Sequence, residues 1–232
     1  MDHLQRNSEF DENNQILLGI NIVVISAILN LFCDLILYYG PSDGAVISDM
    51  YRLIPALGET SDLRVKVGAG LSVVLVSCWF FALPALCCLM APFKRLRFIA
   101  LISYTVFIGT CVAFHSSFGF LAIFGNLVSS GDLELKAAIS QVNDFSIFIQ
   151  IPMFLSLIVF SLIFGFIAFS QATNLPKWSV ILSPIIGCTA LPFLASLMPS
   201  PFGAAVAIIA STFGLLIFFT YIRWCFLNQR YR

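Results

Sequence analysis

A carboxyl group, an amide and an imidazole stand inside long apolar stretches of this sequence. Asp34 and Asn30 lie in NLFCDLILYYG, residues 30–40, and His115 lies in FHSSFGF, residues 114–120. Side chains of these types transfer protons and bind ligands through hydrogen bonds or charge. Inside a membrane they are costly, so they usually face the protein interior or a water-filled cavity. What they can do therefore depends on the elements that carry them.

The residues around Asp34 recur with helical spacing. Ser26, Asn30, Asp34 and Tyr38 follow one another at intervals of four residues, so in a helix they form one stripe. We expect this stripe to face the protein interior, with Asp34 roughly 8 Å below the outer end of the helix.

His115 is predicted at a similar depth in the third apolar run, which crosses in the same direction as the first. A direct or water-bridged contact with Asp34 is then geometrically allowed. Gln150 of the fourth run and Ser116 can join the same polar layer. The candidate ligand-binding or proton-linked residues are Asp34, His115, Asn30, Tyr38, Gln150 and Ser116. No residue is assigned as catalytic.

The composition indicates that most of the surface does not face water. Of the 232 residues, 59% are hydrophobic and 10% are charged, whereas a soluble domain carries about 25% charged residues. The mean hydropathy is +0.97. Lys plus Arg and Asp plus Glu number 12 each, so the chain lacks the basic field that nucleic-acid binding requires.

Six apolar runs are long enough to cross the ~30 Å hydrocarbon core as helices. They predict an all-α, polytopic transmembrane bundle over residues 15–226, with tails at 1–14 and 227–232. The predicted spans are about 15–39, 67–91, 97–121, 145–170, 178–198 and 202–222.

The positive charges predict the orientation of these spans. The tails and the even-numbered connections carry eight Lys and Arg residues, and the odd-numbered connections carry four. Because positively charged segments stay inside, we expect both termini in the cytoplasm.

Several chemistries have no support in the sequence. There are two histidines and no HExxH or CxxC spacing, so no metal site is predicted. Neither a GxSxG elbow, a P-loop nor a GxGxxG motif occurs, and no cofactor is expected. The seven cysteines fall in or at the ends of apolar runs, where buried small side chains are the expected role.

Short motifs across nearly the whole chain carry a resemblance to a known family. They are Asp34 followed by Tyr38 and Tyr39, His115, the LPKW turn at 175–178 with Ser183 and Pro184 after it, and the aromatic-rich last run. Together they resemble an uncharacterised bacterial family of six-span membrane proteins, a domain of unknown function. The resemblance implies the architecture and a location in the bacterial cytoplasmic (inner) membrane, and it implies no activity.

The residues leave three functions open. The preferred one is binding or transport of a small amphipathic molecule at an outer-half polar site, to which a proton can be linked. The second is a membrane-embedded enzyme that acts on a lipid with Asp34 and His115 as an acid–base pair. The third is an accessory structural protein without a ligand, in which polar contacts of on the order of 0.6 kcal/mol each hold helices together. Membrane lipids are the other expected partners.

Overall fold

The computed structural model describes residues 2–38, 61–128, 133–170, 172–198 and 202–228, and every long element in these ranges is helical. Helix α1 spans Asp2–Tyr38, the composite helix α2 covers 62–89, and α3 spans Lys94–Val128. Helix α4 spans Leu133–Phe169, α5 spans Pro184–Ser196 after a 3₁₀ segment at Lys177–Leu182, and α6 spans Phe202–Leu227. The predicted all-α class is confirmed, since no strand occurs in these ranges.

Five helices within the described ranges are long and apolar enough to cross a membrane. They lie at Asn13–Leu37, Leu63–Leu89, Lys94–Leu121, Ser140–Phe169 and Ile209–Leu227. Each overlaps one of the predicted spans. Helix α1 begins at Asp2, so the described part of the predicted tail at 1–14 belongs to this helix. Residues 229–232 of the other predicted tail lie outside the described ranges.

The fifth predicted span, 178–198, is not one uninterrupted helix. Ser183 is extended, with φ −61° and ψ 144°, and separates the 3₁₀ segment from α5. The cause is Pro184, because a proline disfavours helical geometry in the residue before it. The 13 residues of α5 rise about 20 Å, less than the ~30 Å hydrocarbon core. Helix length alone therefore does not confirm the count of six.

Helix α2 changes its backbone hydrogen-bonding pattern along its length. A π-helical stretch at Lys66–Leu71 is followed by an α-helical turn, a 3₁₀ stretch at Cys78–Ala82 and a final α-helix at Leu83–Leu89. At the 3₁₀ stretch the Leu83 N–H bonds to the Phe80 carbonyl rather than to the carbonyl of Trp79. The hydroxyl of Tyr104 on α3 donates to that carbonyl at 2.9 Å, so the buried acceptor is satisfied.

Helices α1 and α6 pack against each other in antiparallel register. The Nε of Arg223 donates to Asn21 Oδ1 at 2.6 Å, and Thr212 Oγ1 donates to Asp34 Oδ2 at 2.7 Å. Moving forward along α1 from 21 to 34 therefore corresponds to moving back along α6 from 223 to 212. The start of α1 and the end of α6 lie at the same end of the bundle.

Aromatic rings fill the core, and apolar side chains also cover the outside. Phe218 on α6 makes edge-to-face contacts with Phe160 and Phe164 on α4, at centroid distances of 5.8 and 5.2 Å. On the outer side of α4, Leu162 and Phe148 are 69% and 66% exposed. A surface of this kind is consistent with helices that face lipid rather than water.

Helices α5 and α6 approach each other at two glycines. A Cβ built on Gly214 would stand 2.6 Å from the carbonyl carbon of Gly187, and one built on Gly187 would stand 2.6 Å from the Gly214 Cα. Small residues at such crossings allow the backbones of transmembrane helices to come into contact. The crossing therefore requires glycine on both helices.

We expect Gly214→Val to destabilise the protein by about 3 kcal/mol, because the obstructing atoms are backbone and cannot move aside as a side chain would. Thermal unfolding in detergent measures this loss. Gly109→Val is the matched control, since nothing lies within 4 Å of a Cβ at Gly109. Equal melting temperatures of the two variants would contradict the close crossing.

Candidate functional site

The polar stripe of α1 faces the interior of the bundle. Ser26, Asn30 and Asp34 retain 3%, 0% and 3% of their accessible surface, as the spacing of four residues predicts. Ser26 bonds to its own helix, through Oγ to the Val23 carbonyl at 2.9 Å. Tyr38 ends the helix, and its side chain lies outside the described part of the chain.

Asp34, Asn30 and Thr212 form a closed triangle of hydrogen bonds between α1 and α6. Thr212 Oγ1 donates to Asp34 Oδ2 at 2.7 Å. Asn30 Nδ2 donates to the same Asp34 oxygen and to Thr212 Oγ1, both at 3.3 Å. All three side chains are at least 95% buried. The antiparallel packing of α1 and α6 thus places the triangle inside the protein.

The triangle uses every donor that its side chains possess. The two N–H groups of the Asn30 amide and the hydroxyl of Thr212 are all engaged in these three bonds. What remains is an acceptor on each of two residues. Asp34 Oδ1 and Asn30 Oδ1 are buried and have no hydrogen-bond partner among the described residues. An orphaned buried acceptor costs about 1–3 kcal/mol, and more if it is charged. The cluster is therefore complementary to a donor or a cation, and it would repel an anion.

Thr212 is the member that the sequence prediction missed. Ser211 and Thr212 are adjacent hydroxyl residues in the otherwise apolar stretch 202–219. This pair is a polar signal of the same kind as Asp34 in its apolar run. The sequence alone does not show that Thr212, rather than Ser211, faces α1. In the structure Thr212 is 5% exposed, whereas Ser211 lies on the exposed side of α6.

The predicted residues on the other helices make no hydrogen bond to the triangle in the described ranges. His115 on α3 is half-buried, and its Nδ1 has no partner among the described residues. Ser116 donates to the Val112 carbonyl of its own helix at 2.9 Å, and Gln150 is half-buried on α4. Over the described ranges, no hydrogen bond or ion pair joins Asp34 to His115, so the proposed acid–base pair remains a prediction.

Helix α3 also carries a buried thiol. The buried Cys111 lies within electrostatic range of both Asp34 and Cys188 of α5. His115 follows Cys111 by four residues and therefore lies one turn further along the same face of α3. In the described ranges no three His, Cys, Asp or Glu side chains are grouped as a metal site would require.

Comparison with known proteins identifies a family and no activity. Residues 10–229 match the family model described as a family of unknown function, DUF6796. The prediction of an uncharacterised family is confirmed in this respect. No curated protein and no solved structure matches the chain.

We expect Thr212→Val to destabilise the protein by about 1–2 kcal/mol, because it removes the shortest hydrogen bond to a buried carboxyl group and keeps the side-chain shape. Unfolding in detergent measures the change. Thr189→Val is the matched control, since the exposed Thr189 hydroxyl bonds to its own helix at the Ile185 carbonyl.

A double-mutant cycle separates this bond from general packing. With Asp34→Leu as background, Thr212→Val should have a smaller effect than in the wild type, since only the longer bond from Asn30 Nδ2 to Thr212 Oγ1 is left to lose. Additive losses in the cycle would show that the Asp34–Thr212 bond does not stabilise the protein.

Proposed function

Since the chain belongs to this family of unknown function, we propose from its own geometry that it is a multi-pass membrane protein that binds or transports a small amphipathic molecule at Asp34. The observation that supports this most directly is the pair of buried acceptors, Asp34 Oδ1 and Asn30 Oδ1, without a partner among the described residues. Native proteins rarely leave such groups unpaired unless a ligand, water or ion completes them.

The acceptors favour a ligand with a donating or cationic head. A primary ammonium group carries three donors and a positive charge, so it can satisfy both oxygens and neutralise the carboxylate. The apolar part of the ligand would lie among the aliphatic and aromatic side chains of the bundle. An anionic head is disfavoured, because it would meet two acceptors with no donor left over.

A proton is the natural competitor for this head group. Protonation at Asp34 Oδ1 removes the charge and converts an unpartnered acceptor into a donor. Ligand and proton then occupy the same position in turn, which is the elementary requirement for proton-linked binding or exchange. His115, one turn beyond Cys111 on α3, is the candidate to relay that proton.

The antiparallel contact of α1 and α6 supports an even number of membrane crossings, because it brings the first and last spans together with the two chain ends on one side. The sixth crossing would be the 3₁₀ segment with α5. If these were nearly collinear, the six-residue 3₁₀ segment and the 13-residue helix would rise about 12 and 20 Å, together close to the ~30 Å core. Together with the distribution of Lys and Arg, this supports the proposal that both termini are cytoplasmic. The family resemblance supports a bacterial cell.

A purely structural role is the alternative that one observation favours. The Thr212–Asp34 bond joins the first and last spans directly. Polar pairs of this kind hold transmembrane helices together without any ligand. The substitution Asp34→Asn distinguishes the two roles. It should weaken ligand binding if the cluster is a binding site, and it should lower only the stability if the cluster is structural.

We expect saturable binding of the fluorescent alkylammonium dansylcadaverine to the purified chain in detergent, and weaker binding at lower pH as protons compete. Asp34→Asn should weaken binding about 10- to 100-fold, the loss typical of a charged hydrogen bond, and should abolish the pH dependence. Fluorescence anisotropy measures both effects.

Two controls make this test decisive. A dansyl amide without the ammonium group should bind weakly to the wild-type chain. Thr189→Val should bind dansylcadaverine normally, since the exposed Thr189 hydroxyl bonds to its own helix. If Asp34→Asn lowers the melting temperature while the wild-type chain binds the two probes equally, the polar cluster is structural.

The orientation has a separate test. A self-labelling tag fused to either terminus should react with a membrane-impermeant reagent only after the cells are opened. Labelling of one terminus in intact cells and protection of the other would contradict an even number of crossings.

A further inference from the structure

An apolar groove on the outside of the helix pair α2–α3 lies away from the polar cluster. Its volume is about 530 Å³, and it is open along one side. The side chains that line it are Leu83, Pro84, Cys87, Phe98, Leu101, Ile102, Thr105 and Val106. On α3 the lining residues follow each other with helical spacing from Phe98 to Val106, a rise of about 12 Å. That length is close to the depth of one leaflet, half of the ~30 Å hydrocarbon core.

One end of the groove is marked by positive charge. Helix α3 begins at Lys94, and Lys94, Arg95 and Arg97 stand in its first turn with no acidic residue beside them. Lys94 precedes Phe98 by four residues and Arg95 precedes it by three, so both lie over the groove wall on the same face of the helix. The backbone N–H groups of the first turn add to the positive potential.

The sequence around these cations contains no acidic residue. The sequence has no Asp or Glu between residues 63 and 131. Lys94 and Arg95 are exposed, and neither forms an ion pair with a described residue. An apolar channel of leaflet depth that ends at exposed cations is complementary to an anionic phospholipid, which carries hydrocarbon and phosphate in that same order.

We propose that the groove between α2 and α3 is a binding site for an anionic glycerophospholipid. One acyl chain lies along Phe98–Val106 against Leu83, and the phosphate meets Lys94 and Arg95. The bare cations alone would attract any phosphate. The adjoining groove makes the site selective for a lipid, because contact of the acyl chain with the apolar walls contributes binding free energy.

Native mass spectrometry of the full chain tests the site with phosphatidylglycerol and phosphatidylcholine of identical acyl chains. The wild-type protein should retain phosphatidylglycerol preferentially. The double variant Lys94→Gln/Arg95→Gln should lose that preference, at about fivefold for each positive charge removed. Lys177→Gln removes an exposed cation outside the groove and should leave the preference unchanged.

A second variant tests the groove rather than the charge. Thr105→Phe fills the channel and should lower retention of both lipids, whereas Leu162→Phe on the exposed side of α4 should not. Equal retention of the two lipids by the wild-type chain, or a preference that survives the double variant, would overturn the proposal. Displacement of the lipid by excess inorganic phosphate would also overturn it, because the site would then recognise the free anion.

Discussion

The structure depends on a carboxyl group that the chain buries between its first and last long apolar helices. Asp34 retains 3% of its surface, and the Thr212 hydroxyl and the Asn30 amide both bond to a single one of its oxygens. A group of this kind can be kept inside a membrane protein only where donors from another helix reach it. This requirement agrees with the antiparallel register of α1 and α6, with the enclosure of the triangle and with the position of the chain ends.

The same requirement explains why the cluster is chemically one-sided. Donors are scarce in an apolar bundle, since serine and threonine hydroxyls tend to bond back to their own helix, as Ser26 and Ser116 do. Thr212 is an exception, because its partner lies across the helix interface. Once the three donors are used, the second oxygen of each of Asp34 and Asn30 remains. Selectivity for cationic or donating ligands would follow from this shortage of donors.

Much of the arrangement was predictable because it follows from short-range periodicity. A spacing of four residues placed Asn30 and Asp34 on one face of α1, and apolar length located the five long apolar helices of the described ranges. The sequence pattern could not show which residue on another helix meets that face, because pairing across 178 positions depends on packing. It also did not show that Pro184 would leave Ser183 extended and divide the fifth run. The irregular stretches of α2 were equally out of reach, since Gly68 against Leu37 and Tyr104 against the Trp79 carbonyl belong to tertiary structure.

The two irregular stretches of α2 compensate each other in rotation. A π-helix turns by about 82° per residue and a 3₁₀-helix by about 120°, against 100° for an α-helix. Over the six residues of Lys66–Leu71 and the five of Cys78–Ala82, the deficit and the excess are each roughly 100°. The last turns of α2 thus regain the phase of an ideal helix, and every section of 62–89 packs against α1. Loss of one stretch without the other would rotate Leu83 and Cys87 about a quarter of a turn away from α3, so the packing of this end of α2 depends on both irregularities.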